Sequence, residues 1–292
     1  PLAQFLIKSL PLDDIVDEKL AHKDGEVLPY MIDYAAGSGH FLTEYMHEIQ
    51  GLINKTDQNS YIEETKRKIK NWHENHFDWA TQYVYGIEKD YRLVKVGKVV
   101  CYLHGDSLAN VILSDELGSF TNTKDYKGKL RKQSDDGIKD NQQFDVLLSN
   151  PPYSVSSFKQ TTRKYYTEED FELYNYLTDN SSEIEVLFIE RTKQLLKDGG
   201  VAGIILPSTI LSNGGIYSKA REMILKYFEI ISFAEFGSNT FMATKTKTVV
   251  LFLRRRNNYE HVHIYESVKR FFTSKNDFAV NGIENPFSKY VD

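Results

Sequence analysis

The sequence predicts an α/β domain built on a seven-stranded, mostly parallel sheet with helices on both faces. Apolar runs alternate with stretches of helical spacing, as in parallel sheets whose strands are joined by helices. The chain has 292 residues, which is enough for one large domain with insertions. Its composition, with 41% hydrophobic and 26% charged residues, is typical of a globular protein.

The strand pattern repeats along most of the chain. "GHFLTEYMHEIQGLI" and "EIEVLFIERTKQLLKDGG" have helical spacing, and the second ends in Lys and Gly-Gly, a common helix stop. We expect a catalytic-type domain over 1–254 and an incomplete extension over 255–292. The predicted strands lie near 28–34, 83–88, 99–104, 144–149, 200–206, 230–235 and 247–254, with insertions near 54–82, 114–143 and 154–182.

Bulk properties narrow the classes of function. The formal net charge is −5, whereas modules that bind duplex nucleic acid are usually basic. Any nucleic acid is therefore expected to bind to a local basic surface or to a partner protein. A single Cys excludes an intrachain disulfide and fits a reducing compartment. No apolar run is long enough to span a membrane, and no signal peptide is recognisable, which predicts a cytoplasmic protein without membrane contact.

The stretch "DYAAGSGHFL" follows the first apolar run and predicts a tight turn into a helix. Gly37 and Gly39 allow backbone angles and a close ligand approach that other residues hinder. Asp33 would repel a phosphate but suits a ligand with an amine or a cation. S-adenosylmethionine has both and carries no phosphate; a plain strand-to-helix turn is the alternative.

Acids are predicted at the ends of the next two strands. Glu88 in "YGIEKD" can accept hydrogen bonds from ribose hydroxyls, and Asp106 in "YLHGDSL" from an adenine amine, with Ser107 beside the ring. Either acid, taken alone, could be an exposed surface residue without a binding role. Phe41, just after the turn, lies beside the cofactor or in the core.

"FDVLLSNPPYSV" carries the most specific motif, Asn150-Pro151-Pro152-Tyr153, after a buried run. Two prolines fix an extended turn that leaves the Asn150 side-chain oxygen and the Pro151 carbonyl as acceptors. They could hold the two N–H groups of an exocyclic amine, and Tyr153 could stack on the base. The alternative is that Asn-Pro-Pro forms an ordinary loop turn without a ligand.

In this order the motifs resemble the N6-adenine DNA methyltransferases, and most closely the modification (M) subunit of type I restriction-modification systems. "DYAAGSGHFL" is similar to that family's D-P-A-x-G-[ST]-G-x-F-L, with Tyr34 in place of Pro. "LLKDGGVAGIILPSTIL" and "FMATKTKTVVLFL" resemble its later strand and hairpin. The likeness covers about residues 1–254.

The resemblance implies a Rossmann-like, S-adenosylmethionine-dependent methyltransferase fold. It implies an adenine-specific DNA methyltransferase of a bacterium or archaeon that flips the adenine out of double-stranded DNA and needs no metal. Phe241 would supply a second stacking face, or else belongs to the core. The implied cofactor contacts are Asp33, Ala35, Gly37, Ser38, Gly39, Phe41, Glu88, Asp106 and Ser107.

The implied partners are a specificity (S) subunit, a second M subunit and a restriction (R) subunit. Three alternatives stay open: a module of a single-chain restriction-modification enzyme, an RNA or protein-glutamine methyltransferase with the same motif, and a non-catalytic scaffold. Lys159, Arg163, Lys164 and the run 254–256 could touch phosphates or form ordinary solvated surface.

Overall fold

A computed structural model of the protein describes most of the chain. The described residues are 1–21, 26–105, 110–120, 130, 142–237, 240, 246–274, 277, 279 and 284–285. They include one seven-stranded sheet, which confirms the predicted α/β class. The strands are β1 Met31–Asp33, β2 Val84–Glu88, β3 Asn110–Leu113, β4 Phe144–Ser149, β5 Leu196–Pro207, β6 Phe228–Phe236 and β7 Thr248–Arg255.

The strands are ordered β3-β2-β1-β4-β5-β7-β6 across the sheet. The pairs from β3 to β5 are parallel, and β7 runs antiparallel to both of its neighbours. The central strands are almost wholly apolar and buried, as expected where helices cover both faces of a sheet.

Helices connect the strands and flank the sheet. They are α1 Leu2–Lys8, α2 Leu12–Ala21, α3 His40–Lys55, α4 Glu63–Glu74, α5 Ala80–Tyr83, α6 Tyr91–Leu103, α7 Phe158–Thr162, α8 Glu185–Leu195, α9 Thr209–Ser212, α10 Ile216–Tyr227 and α11 Asn258–Ser274. Helix α3 contacts α1, α2, α4 and α6, whereas α8 contacts α10.

The strand order reverses between β1 and β4. The β1–α3–β2 connection moves one way along the sheet and the connection from β4 through α8 to β5 moves the other way. Because such crossovers are right-handed, α3 and α8 cover opposite faces. A crevice opens at such a reversal, beyond the carboxyl ends of the strands, and ligands of open α/β sheets bind there.

The predicted third strand at 99–104 is wrong, because these residues form the end and C-cap of α6. Asp90 caps the helix by accepting a hydrogen bond from the Arg92 backbone N–H. The third strand is β3, so Asp106 and Ser107 precede it instead of following it, and both lie outside the described residues.

The predicted insertions are partly structured. The segment between β1 and β2 is helical through the end of α3 and α4, as expected. Residues 114–119, predicted to belong to a surface loop, are mostly buried next to β3. Helix α7 and a 3-10 turn at Glu172–Tyr176 lie in the third insertion, where Phe158, Tyr166 and Phe171 are buried.

Candidate cofactor and substrate site

The turn after β1 has an open side and a packed side. Gly37 (φ +54°) and Gly39 (φ +86°) both occupy the left-handed region, which glycine adopts without strain. A Cβ added to Gly37 would meet no atom within 4 Å, whereas one on Gly39 would lie 3.5 Å from Gly97 Cα of α6. Helix α6 therefore supports the turn from one side and leaves Gly37 facing open space.

Asp33, the last residue of β1, is fully buried beside this turn. Its Oδ1 accepts hydrogen bonds from the Ala35 backbone N–H (2.9 Å) and from the Ser149 hydroxyl (2.7 Å). Its Oδ2 is buried without a partner among the described residues. Burial raises the pKa of Asp33 to about 7, with a smaller contribution from the Glu88 charge. An unpartnered buried carboxylate oxygen is costly and suits a ligand that brings a donor or a positive charge.

Glu88 ends β2 and reaches across to the glycine turn. Its Oε2 accepts from the Gly37 backbone N–H at 2.9 Å, and its Oε1 accepts from the Asp90 backbone N–H at 2.7 Å. The side chain is buried, and each oxygen keeps a further lone pair for a ligand. Glu88 thus holds the turn and contributes negative charge to the crevice.

The sequence did not lead us to Asp115, the first acid after β3. Asp115 lies just beyond the end of β3, and its Oδ1 accepts from the Leu117 backbone N–H at 3.0 Å. The neighbouring Glu116 is buried, which raises its pKa to about 8, although Lys89 Nζ lies 3.7 Å from its Oε2. The signal was the short apolar run in "VILSDEL", which ends in acids as the other two strands do.

The remaining predicted cofactor residues follow the turn or lie in it. Ala35, Ser38 and Phe41 are half-buried, and both Ala35 and Phe41 pack against the hydrophobic core. Of the two places that the sequence allowed for Phe41, beside the cofactor or in the core, the structure shows the contact with the core. Phe241, the predicted second stacking residue, lies outside the described residues.

The Asn150–Tyr153 turn begins directly after β4. Asn150 Oδ1 is buried and has no hydrogen-bond partner within the described part of the chain. Pro151 is buried, and Pro152 and Tyr153 are half-buried. A buried amide oxygen without a partner is unusual in a folded protein and indicates an acceptor kept for a ligand.

The two turns lie beside each other because β1 and β4 are neighbours in the sheet. The hydrogen bond from Ser149 Oγ to Asp33 Oδ1 joins the residue before Asn150 to the acid before the glycine turn. The structure therefore brings Asp33, Gly37, Glu88 and Asn150 to one edge of the sheet, at the reversal of strand order.

The basic residues considered for phosphate contact mostly have partners in the protein. Lys159 Nζ donates to the carbonyls of Tyr174 (3.2 Å) and Leu177 (2.7 Å). Arg163 pairs with Asp179. Arg255 is buried with its guanidinium over the Tyr227 ring, so it cannot reach a phosphate.

Within the described residues, no group of three or more His, Cys, Asp or Glu side chains is placed to hold a metal ion. In the same part of the chain, no helix combines the length and apolarity that crossing a membrane requires.

The sheet order and the acid-lined crevice define a class I S-adenosylmethionine-dependent methyltransferase fold. A Listeria monocytogenes protein described as such a methyltransferase superposes with a TM-score of 0.52 at 17% identity, covering 88% of this chain and 61% of that one. The M protein of the type I restriction enzyme EcoKI superposes with a TM-score of 0.56 at 19% identity, covering 85% of this chain and 44% of that one.

The chain belongs to the N-6 DNA Methylase family, whose profile matches residues 14–290. A curated relative, the type II restriction enzyme and methyltransferase RM.Eco57I of Escherichia coli, is 25% identical over 305 aligned residues. That alignment covers 94% of this chain but 30% of the relative, so the chain spans less than a third of that protein.

S-adenosylmethionine fits the residues present. Three buried acids, Asp33, Glu88 and Glu116, lie at or just beyond the ends of β1 to β3, and Glu88 interacts electrostatically with each of the other two. Such a site disfavours a phosphate and favours a cationic ligand. The unpartnered Asp33 Oδ2 and the open space at Gly37 leave an acceptor and room beside the turn.

Proposed function

We propose that this protein transfers a methyl group from S-adenosylmethionine to the N6 amine of adenine in DNA, as the modification part of a restriction-modification system. The observation that carries the proposal is the buried, unpartnered Asn150 Oδ1 next to the acid-lined glycine turn. Membership of the N-6 DNA Methylase family supports the same reaction.

In this proposal Asp33 and Glu88 hold the cofactor. Asp33 Oδ2 binds its amine, and Glu88 accepts from its ribose hydroxyls while continuing to hold Gly37. Ala35, Ser38, Gly39 and Phe41 complete the contact surface. The bound cofactor supplies a methyl group activated by the positive charge on its sulfur.

Asn150 and Pro151 act on the adenine. The Asn150 side-chain oxygen and the Pro151 carbonyl accept the two N–H groups of the amine, which orients the nitrogen lone pair toward the methyl donor. Preset acceptors of this kind lower the barrier because they need no reorganisation during transfer. The nitrogen gains the methyl group and releases one proton to solvent.

The adenine must leave the duplex before its amine can be reached. Flipping costs a few kcal/mol, and stacking on an aromatic ring recovers part of that cost. We assign this stacking to Tyr153, which is half-buried at the end of the turn.

The partners proposed for the full protein are double-stranded DNA, a specificity (S) subunit that selects the target, a second M subunit and a restriction (R) subunit. The net charge of −5 and the internal partners of Lys159, Arg163 and Arg255 support recognition by another polypeptide. Likeness of fold to a type I M protein supports the same arrangement. Such a system operates in the cytoplasm of a bacterium or archaeon.

The test is methylation by the full-length protein with its recognition partner and labelled S-adenosylmethionine. DNA, RNA and a release-factor protein are offered separately, and digested DNA is analysed for N6-methyladenine. We expect label in DNA alone, on the adenine N6. Label in RNA or in a glutamine side chain of the protein would replace the proposed substrate.

The decisive variant is Asn150→Ala in single-turnover methylation. We expect the rate to fall by at least about 100-fold, as when a preset hydrogen-bonding group is removed from another active site. Cofactor affinity should change little, because the cofactor contacts lie on the glycine turn. Tyr153→Ala is the matched variant in the same turn and should lose roughly 1–3 kcal/mol of stacking, whereas Tyr153→Phe should lose less. Full activity of the Asn150→Ala protein would mean that the turn has only a structural role and does not bind the adenine amine.

A further inference from the structure

We propose that Glu185 is a positioning residue that holds the Asn150–Tyr153 turn in its working geometry from behind. Glu185 is the first residue of α8 and is fully buried. Its Oε2 accepts from the Ser154 backbone N–H at 3.0 Å, and its Oε1 accepts from the Tyr217 hydroxyl at 2.7 Å. The inference rests on the proposed function of the turn.

Ser154 is where the chain needs support. Its φ is +56°, in the left-handed region that non-glycine residues adopt at an energetic cost. A hydrogen bond to a buried carboxylate is stronger than one between neutral groups and helps to offset that cost. The contact thus stabilises the left-handed backbone conformation at Ser154, directly after Tyr153.

The turn is held at both ends by buried carboxylates. Ser149, just before it, donates to Asp33, and Ser154, just after it, donates to Glu185. Four residues lie between these two anchor points, and two of them are prolines. Fixing both ends of so short and stiff a segment sets where Asn150 Oδ1 and the Tyr153 ring face.

Tyr217 of α10 holds the carboxylate in turn. The Tyr217 hydroxyl donates to Glu185 and occupies the oxygen that does not face Ser154. Burial raises the pKa of Glu185, while both donated hydrogen bonds oppose that rise. In Glu185→Gln the side-chain oxygen can still accept from the Ser154 N–H while the N–H group donates to the Tyr217 hydroxyl oxygen, so this variant keeps the contact with Ser154.

Glu190 on the same helix provides a matched control. It is also buried and also accepts from two backbone N–H groups, those of Glu172 (2.7 Å) and Leu173 (3.0 Å). It supports the 3-10 turn at Glu172–Tyr176 instead of the residue after Tyr153. Substitution of either residue therefore removes a buried acid from α8, but only Glu185 contacts the segment that follows Tyr153.

The experiment measures the single-turnover methylation rate per bound cofactor, in the full protein with its recognition partner. Counting only sites that bind S-adenosylmethionine removes any loss of folded protein from the comparison. We expect Glu185→Ala to lower the rate about 100-fold, the effect of misplacing a reacting group by about 1 Å, with cofactor affinity within about twofold. Tyr217→Phe should lower it less than tenfold, because the Ser154 contact remains.

Glu190→Ala should leave the rate per bound cofactor within about threefold of the unsubstituted protein, since its contacts lie outside the turn. Equal rates for Glu185→Ala and Glu190→Ala, in a protein that Asn150→Ala inactivates, would overturn the positioning role. If Glu185→Ala fails to fold, Glu185→Met decides, because it keeps the length of the side chain and cannot accept from Ser154. A rate for Glu185→Met within about threefold of that for Glu185→Gln would also overturn the positioning role. An unsubstituted protein that methylates no adenine would refute the proposed function instead.

Discussion

The glycine turn after β1 and the proline turn after β4 are neighbours at one edge of the sheet, but they are held in different ways. Acids of the crevice hold the glycine turn: Glu88 accepts from Gly37, and Asp33 accepts from Ala35. The proline turn keeps its own acceptor unpartnered within the described chain, and anchors outside it fix Ser149 and Ser154.

This difference suits two different ligands. A carboxylate that already accepts one backbone N–H retains lone pairs and charge for a cationic ligand, so support and binding can share a side chain. A neutral amide oxygen that must orient one amine gains from having no competing donor. We therefore expect substitutions in the first turn to change cofactor affinity, and substitutions in or behind the second to change the rate.

The largest effect on the first turn should come from pH, through Asp33. Its pKa is about 7 without ligand, so a cationic ligand that requires the ionised form must displace a proton at lower pH. Cofactor affinity should approach a tenfold fall per pH unit below about 7, which is roughly 50-fold between pH 7 and pH 5. Calorimetry across this range measures it, and Asp33→Asn should bind weakly with no such slope.

The same proton affects stability without cofactor. The pKa of Asp33 is raised from 3.8 to about 7 in the folded state, so the folded protein holds the proton where the unfolded chain has lost it. The stabilising effect of the protonated form is complete below 3.8 and is lost as the pH rises to about 7. Denaturant unfolding should show this loss in the unsubstituted protein relative to Asp33→Asn. Parallel pH profiles for the two proteins would exclude Asp33 as the titrating group.

The next effect should come from Glu88→Ala. We expect S-adenosylmethionine affinity to fall by about 1.5–3 kcal/mol, from loss of charge-assisted hydrogen bonds and of support for Gly37. The methylation rate at saturating cofactor should change much less, which would separate this turn from the one at Asn150. Glu190→Ala is again the control, because it removes a buried acid outside the crevice. Unchanged affinity by calorimetry would remove Glu88 from the ribose role.

Much of this edge could be predicted from local sequence. Apolar runs that end in Asp33, Glu88 and Asn150 predicted three strands, and the structure has strands at those places. The crevice was expected between Asp33, Glu88 and Asp106, and the strand assigned to Asp106 was wrong. The run containing Val99 and Val100 failed because β-branched residues favour strands when read alone. The Asp90 cap and the contact of Gly97 with the glycine turn make it a helix instead.

Other features depend on contacts that local sequence does not encode. The partners of Glu185 are 31 and 32 residues away, so no local pattern marks that side chain as an anchor. Asp115 was missed because the misplaced strand assigned its role to Asp106. The single departure from the family motif in "DYAAGSGHFL", Tyr34 in place of Pro, also has its explanation in a distant helix.

The smallest effect should come from Tyr34→Phe, which tests whether α8 supports the first turn as it supports the second. Tyr34 is buried; its hydroxyl is 3.0 Å from Thr192 Oγ1 and 3.3 Å from the Phe188 carbonyl oxygen, and its ring packs on Phe188. Thr192 also donates to the Phe188 carbonyl at 2.9 Å, so the variant leaves no buried donor without a partner. We expect the free energy of unfolding to fall by about 1 kcal/mol, with cofactor affinity and methylation rate unchanged. Denaturant unfolding measures the stability, calorimetry the cofactor affinity and single-turnover methylation the rate. A tenfold loss of cofactor affinity would mean that α8 positions both turns, and the contrast between a turn held by the crevice acids and a turn anchored from α8 would no longer hold.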